Sequence, residues 1–337
     1  MEVAQPDNRW NGFCQESDAW FWHTIEWLEY SLAYRPDRTS LSFMVEENKE
    51  ILAICPLILS DNEFIMHWSP AFASMTAKKR EKVANFVFEQ IDRLALENSV
   101  KRVSFMIYPL SFPNYNYLMK QDYLDISLNT QIIDLKQDLK SIRGAMRKGH
   151  DYDIDRGLKE LDITICDNKN IAREVFDNYQ RLLQADPSHA YETRPQITFD
   201  MQYNWVRDRY AILLGATCQN EWVGFSYVFT CKNKAYYGSA CGSHHYPDLP
   251  IAHALTWKTI EWLKNHGFEY YEIGWQQYSS QLYDFPSAKE VSISKFKRGF
   301  GGHTIPLFRG EKYYDINYFL KIERERATRF LEKKDSA

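Results

Sequence analysis

Nothing in this 337-residue sequence reads as a membrane span. The longest apolar run, 51–59, is interrupted by Pro56 and falls well short of the roughly 20 residues a spanning helix needs. The opening residues lack the basic-then-apolar pattern of a secretory signal, so the expectation is a soluble, cytoplasmic protein. Cysteine is sparse: six thiols at 14, 55, 166, 218, 231 and 241, with no CxxC pair, which argues against a disulfide framework and for reduced, buried thiols. Neither charge is in large surplus, with 41 Lys and Arg against 45 Asp and Glu. The net charge of −4 gives no general pull toward nucleic acid. DNA is therefore not expected as a partner, and any RNA or phosphate contact must be a local patch. No Gly-x-Ser-x-Gly elbow is present, and Gly299, Gly301 and Gly302 are followed by no βα unit that would make them a dinucleotide fingerprint.

The sequence has ample material for cores: 45% of residues are hydrophobic and 15% aromatic. Its length accommodates two domains. Apolar residues at three- and four-residue steps (Val83, Phe86, Val87, Ile91, Leu94) predict a helix over 76–98. Other helices are predicted from Ser17 or Asp18 to about 32, over 171–184 and 199–208, from about 250 to Gly267, and over 313–333. The last but one of these has Asp248 as its N-cap. Strands are predicted at 41–46 and 51–59 as a hairpin, at 102–108, 130–135 and 162–166, as a meander over 210–217, 222–231 and 234–242, and at 268–275. Residues 185–198, with Pro187 and His189, read as a polar loop. This is a mixed α/β order.

Two basic stretches stand out. In 136–160, Leu139, Ile142 and Met146 form one helical face, with Lys140, Arg143, Arg147 and Lys148 around it. It is either a solvated helix linking two domains or a cationic wall for a phosphate or carboxylate. In 291–302, Lys295, Lys297 and Arg298 alternate with Phe296 and Phe300, and glycines close the run. Alternation predicts a strand there, a charged edge strand ending in a glycine turn. His244, His245, His253 and Cys241 have no ligand spacing, so no metal site is expected.

Three stretches together resemble the FemAB-like proteins, the Fem-type aminoacyltransferases and their GNAT-fold relatives. They are Ile142, Arg143, Gly144, Ala145, Met146, Arg147 and Lys148; Tyr236, Tyr237, Gly238, Ser239 and Ala240, followed past a helix by Tyr270, Tyr271, Glu272, Ile273, Gly274 and Trp275; and Phe296, Lys297, Arg298 and Gly299 through Gly302. The resemblance implies an α/β (α+β) fold of two GNAT-like domains in tandem with an interdomain cleft. They are expected at 1–135 and 136–310, with a C-terminal helix, 311–337, joining the first. It implies transfer of an acyl or aminoacyl group to an amine of a cell-envelope or glycan precursor. The acceptor is then a small-molecule, nucleotide-linked or lipid-linked amine. The donor is aminoacyl-tRNA or acyl-CoA, and no cofactor is tightly bound.

By the same resemblance Lys297 supplies the positive donor for the oxyanion, and Phe296 shapes its pocket. Glu272 is either a proton acceptor or an ion-pair partner of Lys297. Arg143, Arg147, Lys148 and Arg298 are candidate phosphate-binding cations, and Tyr237 and Trp275 are candidate stacking walls. The chain departs from the pattern in three places. The turn before the helix at 250 lacks the glycine cluster of CoA-dependent GNAT enzymes. No long helical arm is inserted. Tyr108, where relatives tend to carry an acid, precedes Pro109. An acyl-CoA-dependent N-acyltransferase acting on an amino sugar, and a non-catalytic binding module, are the alternatives.

Overall fold

Thr76 opens the helix Ala77–Glu97 by accepting a hydrogen bond from the Lys79 amide at 3.4 Å, and Val83, Val87 and Ile91 on its inner face are fully buried. This helix organises the first of two units in the computed structural model, which describes residues 1–65, 68–185, 194–279, 281 and 284–335. Unit 1 comprises Met1–Asn129, Trp275–Ser294 and Ile305–Ala337; unit 2 comprises Thr130–Gly274 and Lys295–Thr304.

In unit 1 the predicted hairpin is present as Phe43–Glu47 and Glu50–Cys55. Asn48 and Lys49 both have positive φ (53° and 69°), as a tight two-residue turn requires. The six-stranded sheet pairs Arg102–Met106 with Arg309–Tyr313, antiparallel and with Gly310 opposite Phe105, so a late segment of the chain completes an early sheet. The helix predicted to start at Ser17 or Asp18 instead starts at Ile25, capped by Thr24. Asp18 is used elsewhere: its carboxylate accepts the Phe72 amide at 2.6 Å and pairs with Arg80 at 2.6 Å.

Unit 2 is built on a seven-stranded sheet in the order Asp162–Cys166, Ala211–Cys218, Glu221–Cys231, Lys234–Gly242, Tyr270–Gln276, Leu128–Asp134 and His303–Leu307. The second, third and fourth are the predicted meander. Tyr270–Gln276 runs parallel to Lys234–Gly242 but pairs with it only from Lys234/Tyr270 to Tyr236/Glu272. Beyond that point the two strands no longer pair. The helix Ile251–Asn265 covers the sheet with Ala254, Leu255, Ile260 and Leu263. Its N-cap is Pro250, not Asp248, and no side chain caps it. The helix predicted at 199–208 begins at Gln196, and the loop with Pro187 and His189 lies outside the described residues.

The strand predicted over 291–302 is a helix, Ala288–Arg298. Its N-terminus is fixed by a Ser-x-x-Glu capping box. Ser287 donates from its amide and hydroxyl to Glu290 at 2.7 and 2.8 Å, and the Glu290 amide returns a bond to the Ser287 hydroxyl at 3.3 Å. Phe296 and Phe300, four residues apart, share the face that helical spacing gives them, with ring centroids 5.2 Å apart. Lys295, Lys297 and Arg298 lie in its last turn, where the helix dipole favours cations. The chain then leaves through Gly301 and Gly302, both at φ +78°. A Cβ at Gly302 would sit 2.2 Å from the Ile132 carbonyl oxygen. Gly302→Ala is therefore expected to cost about 2 kcal/mol or more, from the left-handed backbone and the overlap together. Urea denaturation of the full chain measures it.

Candidate functional site

The last turn of the Ala288–Arg298 helix delivers Lys297 to the point where the two parallel strands of unit 2 cease to pair. Its Nζ lies 5.2 Å from the centroid of the Tyr237 ring, just past the last paired residue of one strand. On the other strand, Gly274 has φ +103°, and a Cβ there would come within 2.8 Å of Nζ. Glycine at 274 thus both adopts a backbone angle other residues resist and makes room for the ammonium. No carboxylate among the described residues lies close enough to Nζ for an ion pair. Burial pulls the Lys297 pKa down to about 8, against the opposing charge of Glu272.

Glu272 is fully buried on the Tyr270–Gln276 strand. The Thr130 hydroxyl donates to its Oε1 at 2.8 Å, and Oε2 is buried without a hydrogen bond. Burial raises its pKa to about 7; the Thr130 bond and the charge of Lys297 oppose the rise. The site therefore holds an ammonium whose pKa burial pushes down and a carboxyl whose pKa burial pushes up, with one carboxyl oxygen bonded to Thr130 and the other without a hydrogen bond among the described residues.

The other residues singled out in the sequence are not gathered there. Arg143, expected as a phosphate ligand, is bonded to Asp151 and Asp155 and stacked 4.8 Å over Trp257, so its charge is already neutralised within unit 2. Lys148 is exposed in the first turn of the Lys148–Glu160 helix. Arg298 is half-buried one residue after Lys297. Trp275 belongs to unit 1, where the Arg309 guanidinium covers its ring at 5.6 Å. The Phe296 ring points away from the lysine, into a cluster with His150, His253 and Phe300.

Arg147 has a definite partner. Its Nη2 is 3.2 Å from His150 Nδ1, and His150 Nε2 is 2.8 Å from the Phe296 carbonyl. A guanidinium can only donate, so Nδ1 accepts and Nε2 carries the proton that is donated to Phe296. One neutral tautomer of a fully buried histidine thus ties Arg147 to the helix end that carries Lys297. Sequence reasoning missed Thr130, His150 and the role of Gly274. Only His150 carried a signal, as the histidine two residues past the basic run at 143–148.

Two cavities lie elsewhere. One of about 960 Å³ in unit 1 has Asp18, Arg80, Tyr108, Tyr117 and Lys120 among its walls, but Arg80 is paired with Asp18 and Lys120 lies 3.9 Å from Glu81. The other, about 550 Å³ in unit 2, is lined by Ser243, His244, His245 and Tyr246 with Arg181 and Trp222.

No family model matches the sequence, and no curated protein does. The fold does have solved counterparts. FemX superposes with a TM-score of 0.68 at 10% identity, covering 96% of this chain and all of FemX. L-PGS from Bacillus licheniformis gives 0.59 at 13% identity over 99% of this chain and 98% of that one. A tandem GNAT protein from the clavulanic acid biosynthesis pathway gives 0.52 at 11%, over 93% and 98%. The tandem GNAT-like fold expected from three short stretches is thus the fold of the chain, and it is shared with FemX.

His150 and His253 supply a prediction about stability. Burial lowers both pKa values, His253 to about 4, with Arg147 reinforcing and Asp153 opposing. The unfolded chain therefore binds protons that the folded one refuses. The folded state should lose stability as pH falls from about 6.5 toward 4, by about 1–3 kcal/mol for His253. Urea titrations at neutral and acidic pH should show this loss, reduced in His253→Phe.

Proposed function

We propose that this protein is an acyltransferase that forms an amide bond on an amine of a cell-envelope or glycan precursor, with Lys297 as the cation that receives the developing oxyanion. The observation that carries the reading is the position of the Lys297 ammonium: half-buried, over Tyr237, fitted against Gly274 and not consumed by an ion pair among the described residues. The amine attacks the ester or thioester carbonyl of the donor, and the carbonyl oxygen takes up negative charge. An ammonium already desolvated stabilises that charge without reorganising solvent. The intermediate collapses by breaking the ester C–O or thioester C–S bond; Glu272, fully buried with one oxygen unpartnered and its pKa raised to about 7, takes the proton the amine loses and returns it to the departing alcohol or thiol.

The donor is better read as aminoacyl-tRNA than as acyl-CoA. The turn before the Ile251–Asn265 helix is where a CoA-dependent GNAT enzyme presents free amides to pyrophosphate. Here those amides are used internally. Ser243 donates to Val223 O, His245 to Ser243 Oγ, Tyr246 to Ser243 O, Leu249 to Tyr246 O and Ile251 to Leu249 O.

Activity should require the carboxylate and the ammonium together, rising as pH passes about 7 and falling as it passes about 8. Lys297→Met should lower kcat by roughly 100-fold or more, and Glu272→Gln should remove the acidic limb. The assay presents charged tRNA or acyl-CoA with muropeptide and amino-sugar acceptors. A Lys297→Met enzyme as active as the parent would sink the assignment, and turnover with acyl-CoA alone would move the donor to coenzyme A.

A further inference from the structure

Arg309 lies on the Arg309–Tyr313 strand of unit 1 and has no part in the acyl transfer proposed above. Its main chain is occupied: the amide donates to Ser127 Oγ at 3.2 Å, and the carbonyl accepts from Asn116 Nδ2 at 2.8 Å and the Ile126 amide at 3.2 Å. Its guanidinium is different. Among the described residues it makes no hydrogen bond and no ion pair, and Nε is buried without an acceptor. Its neighbour is the Trp275 ring, 5.6 Å from the guanidinium carbon. Burial holds its pKa below the usual arginine value, against the fields of Glu311 and Asp284.

Those two acids are in different states. Glu311 is saturated by Arg102 at 3.3 Å, Arg326 at 2.9 Å and the Tyr313 hydroxyl at 2.6 Å. Asp284 is not. Its Oδ1 accepts from Gln277 Nε2 at 3.1 Å, while Oδ2 is buried with no partner among the described residues. A guanidinium withdrawn from water without an anion is costly, and so is an orphaned carboxylate oxygen. The two feel each other's charge without closing an ion pair, so a group that offers an anion to one and a donor to the other satisfies both.

We propose that Arg309, Trp275 and Asp284 form a binding site in unit 1 for a carboxylate that carries a neighbouring N–H donor, as in a free amino acid or the C-terminal residue of a peptide. Arg309 takes the carboxylate in its planar fork, which Trp275 holds by stacking on its face. Asp284 Oδ2 accepts the N–H. Phosphate fits less well, because a dianion gains nothing from Asp284 and is repelled by it. The site does not depend on acyl transfer at Lys297, and its test is binding, not turnover.

Calorimetric or NMR titration of the full chain uses both enantiomers of alanine, the alanyl-alanine dipeptides, their methyl esters and inorganic phosphate. The expected result is binding of alanine or of a dipeptide, weakened roughly tenfold or more by esterification and by Arg309→Met. Asp284→Asn should weaken the same ligands without weakening acetate, which has no N–H to offer and loses only a repulsion. Preference for the dipeptide over free alanine assigns the site to a peptide terminus, and the reverse assigns it to the free amino acid. The proposal is overturned if none of these carboxylates binds at about 10 mM, a concentration at which even millimolar sites fill. It is equally overturned if Arg309→Met, with an unchanged melting temperature, binds as the parent does, or if phosphate binds as tightly as the carboxylates. Should Arg309→Met fail to fold, the ester comparison on the parent protein and the Arg309→Lys variant, which keeps the charge but not the fork, decide the same question.

Discussion

A lysine ammonium half withdrawn from water beside a fully buried carboxyl is the constraint around which unit 2 is arranged. Burial pushes the pKa of each toward favouring its neutral form. Together, each moderates the other: the charge of Glu272 resists the fall in the Lys297 pKa, and the charge of Lys297 resists the rise in that of Glu272. They are close enough to couple and too far apart to form an ion pair. A closed ion pair would satisfy both groups and leave nothing for a substrate. The open arrangement keeps the ammonium's hydrogen bonds available where the parallel strands have stopped pairing.

Holding that arrangement requires backbone features far apart in the chain. The capping box at Ser287 and Glu290 starts the lysine helix, and the glycine turn after Arg298 ends it against the Ile132 carbonyl. Gly274 removes the one side chain that would displace Nζ. His150, held by Arg147 at its Nδ1, donates from Nε2 to the Phe296 carbonyl one residue before the lysine. Arg147 and Phe296, which look in the sequence like ligand-facing groups, thus act on the lysine through the main chain of its helix. The histidine does this only as one neutral tautomer. Protonation at Nδ1 would set an N–H against the arginine N–H groups.

What was legible in the sequence follows from the range over which each feature is determined. The meander and the Ala77–Glu97 helix announce themselves locally, by turn residues and by apolar spacing. The lysine helix was misread because Lys295, Lys297 and Phe296, Phe300 alternate, while the better signals were the Ser-x-x-Glu box and the four-residue spacing of the phenylalanines. Arg143 was misjudged for another reason. Its partners, Asp151 and Asp155, lie eight and twelve residues on, in a second helix that begins at Lys148 after the first has ended at Gly144. Read as one continuous helix, the segment left the arginine free. Thr130 and Gly274 could not have been found locally, since their importance comes from sheet register and from where a distant lysine ends up.

The donor question turns on main-chain hydrogen bonds, which composition does not reveal. A missing glycine cluster weakens a pyrophosphate cradle only indirectly, because other residues can also expose amides. The bonding within 243–251 is the stronger argument. Each internal bond there would have to be broken before its amide could turn to a phosphate, and a net hydrogen bond is worth about 1 kcal/mol. Rearranging several of them would offset much of what the phosphates gain. A donor bound through contacts elsewhere, with its reactive ester brought to Lys297, needs no such rearrangement. The turn's closed hydrogen bonding and the open state of the lysine thus support the same proposed division of labour: a lysine that receives a carbonyl, and a turn that leaves a pyrophosphate to be held elsewhere.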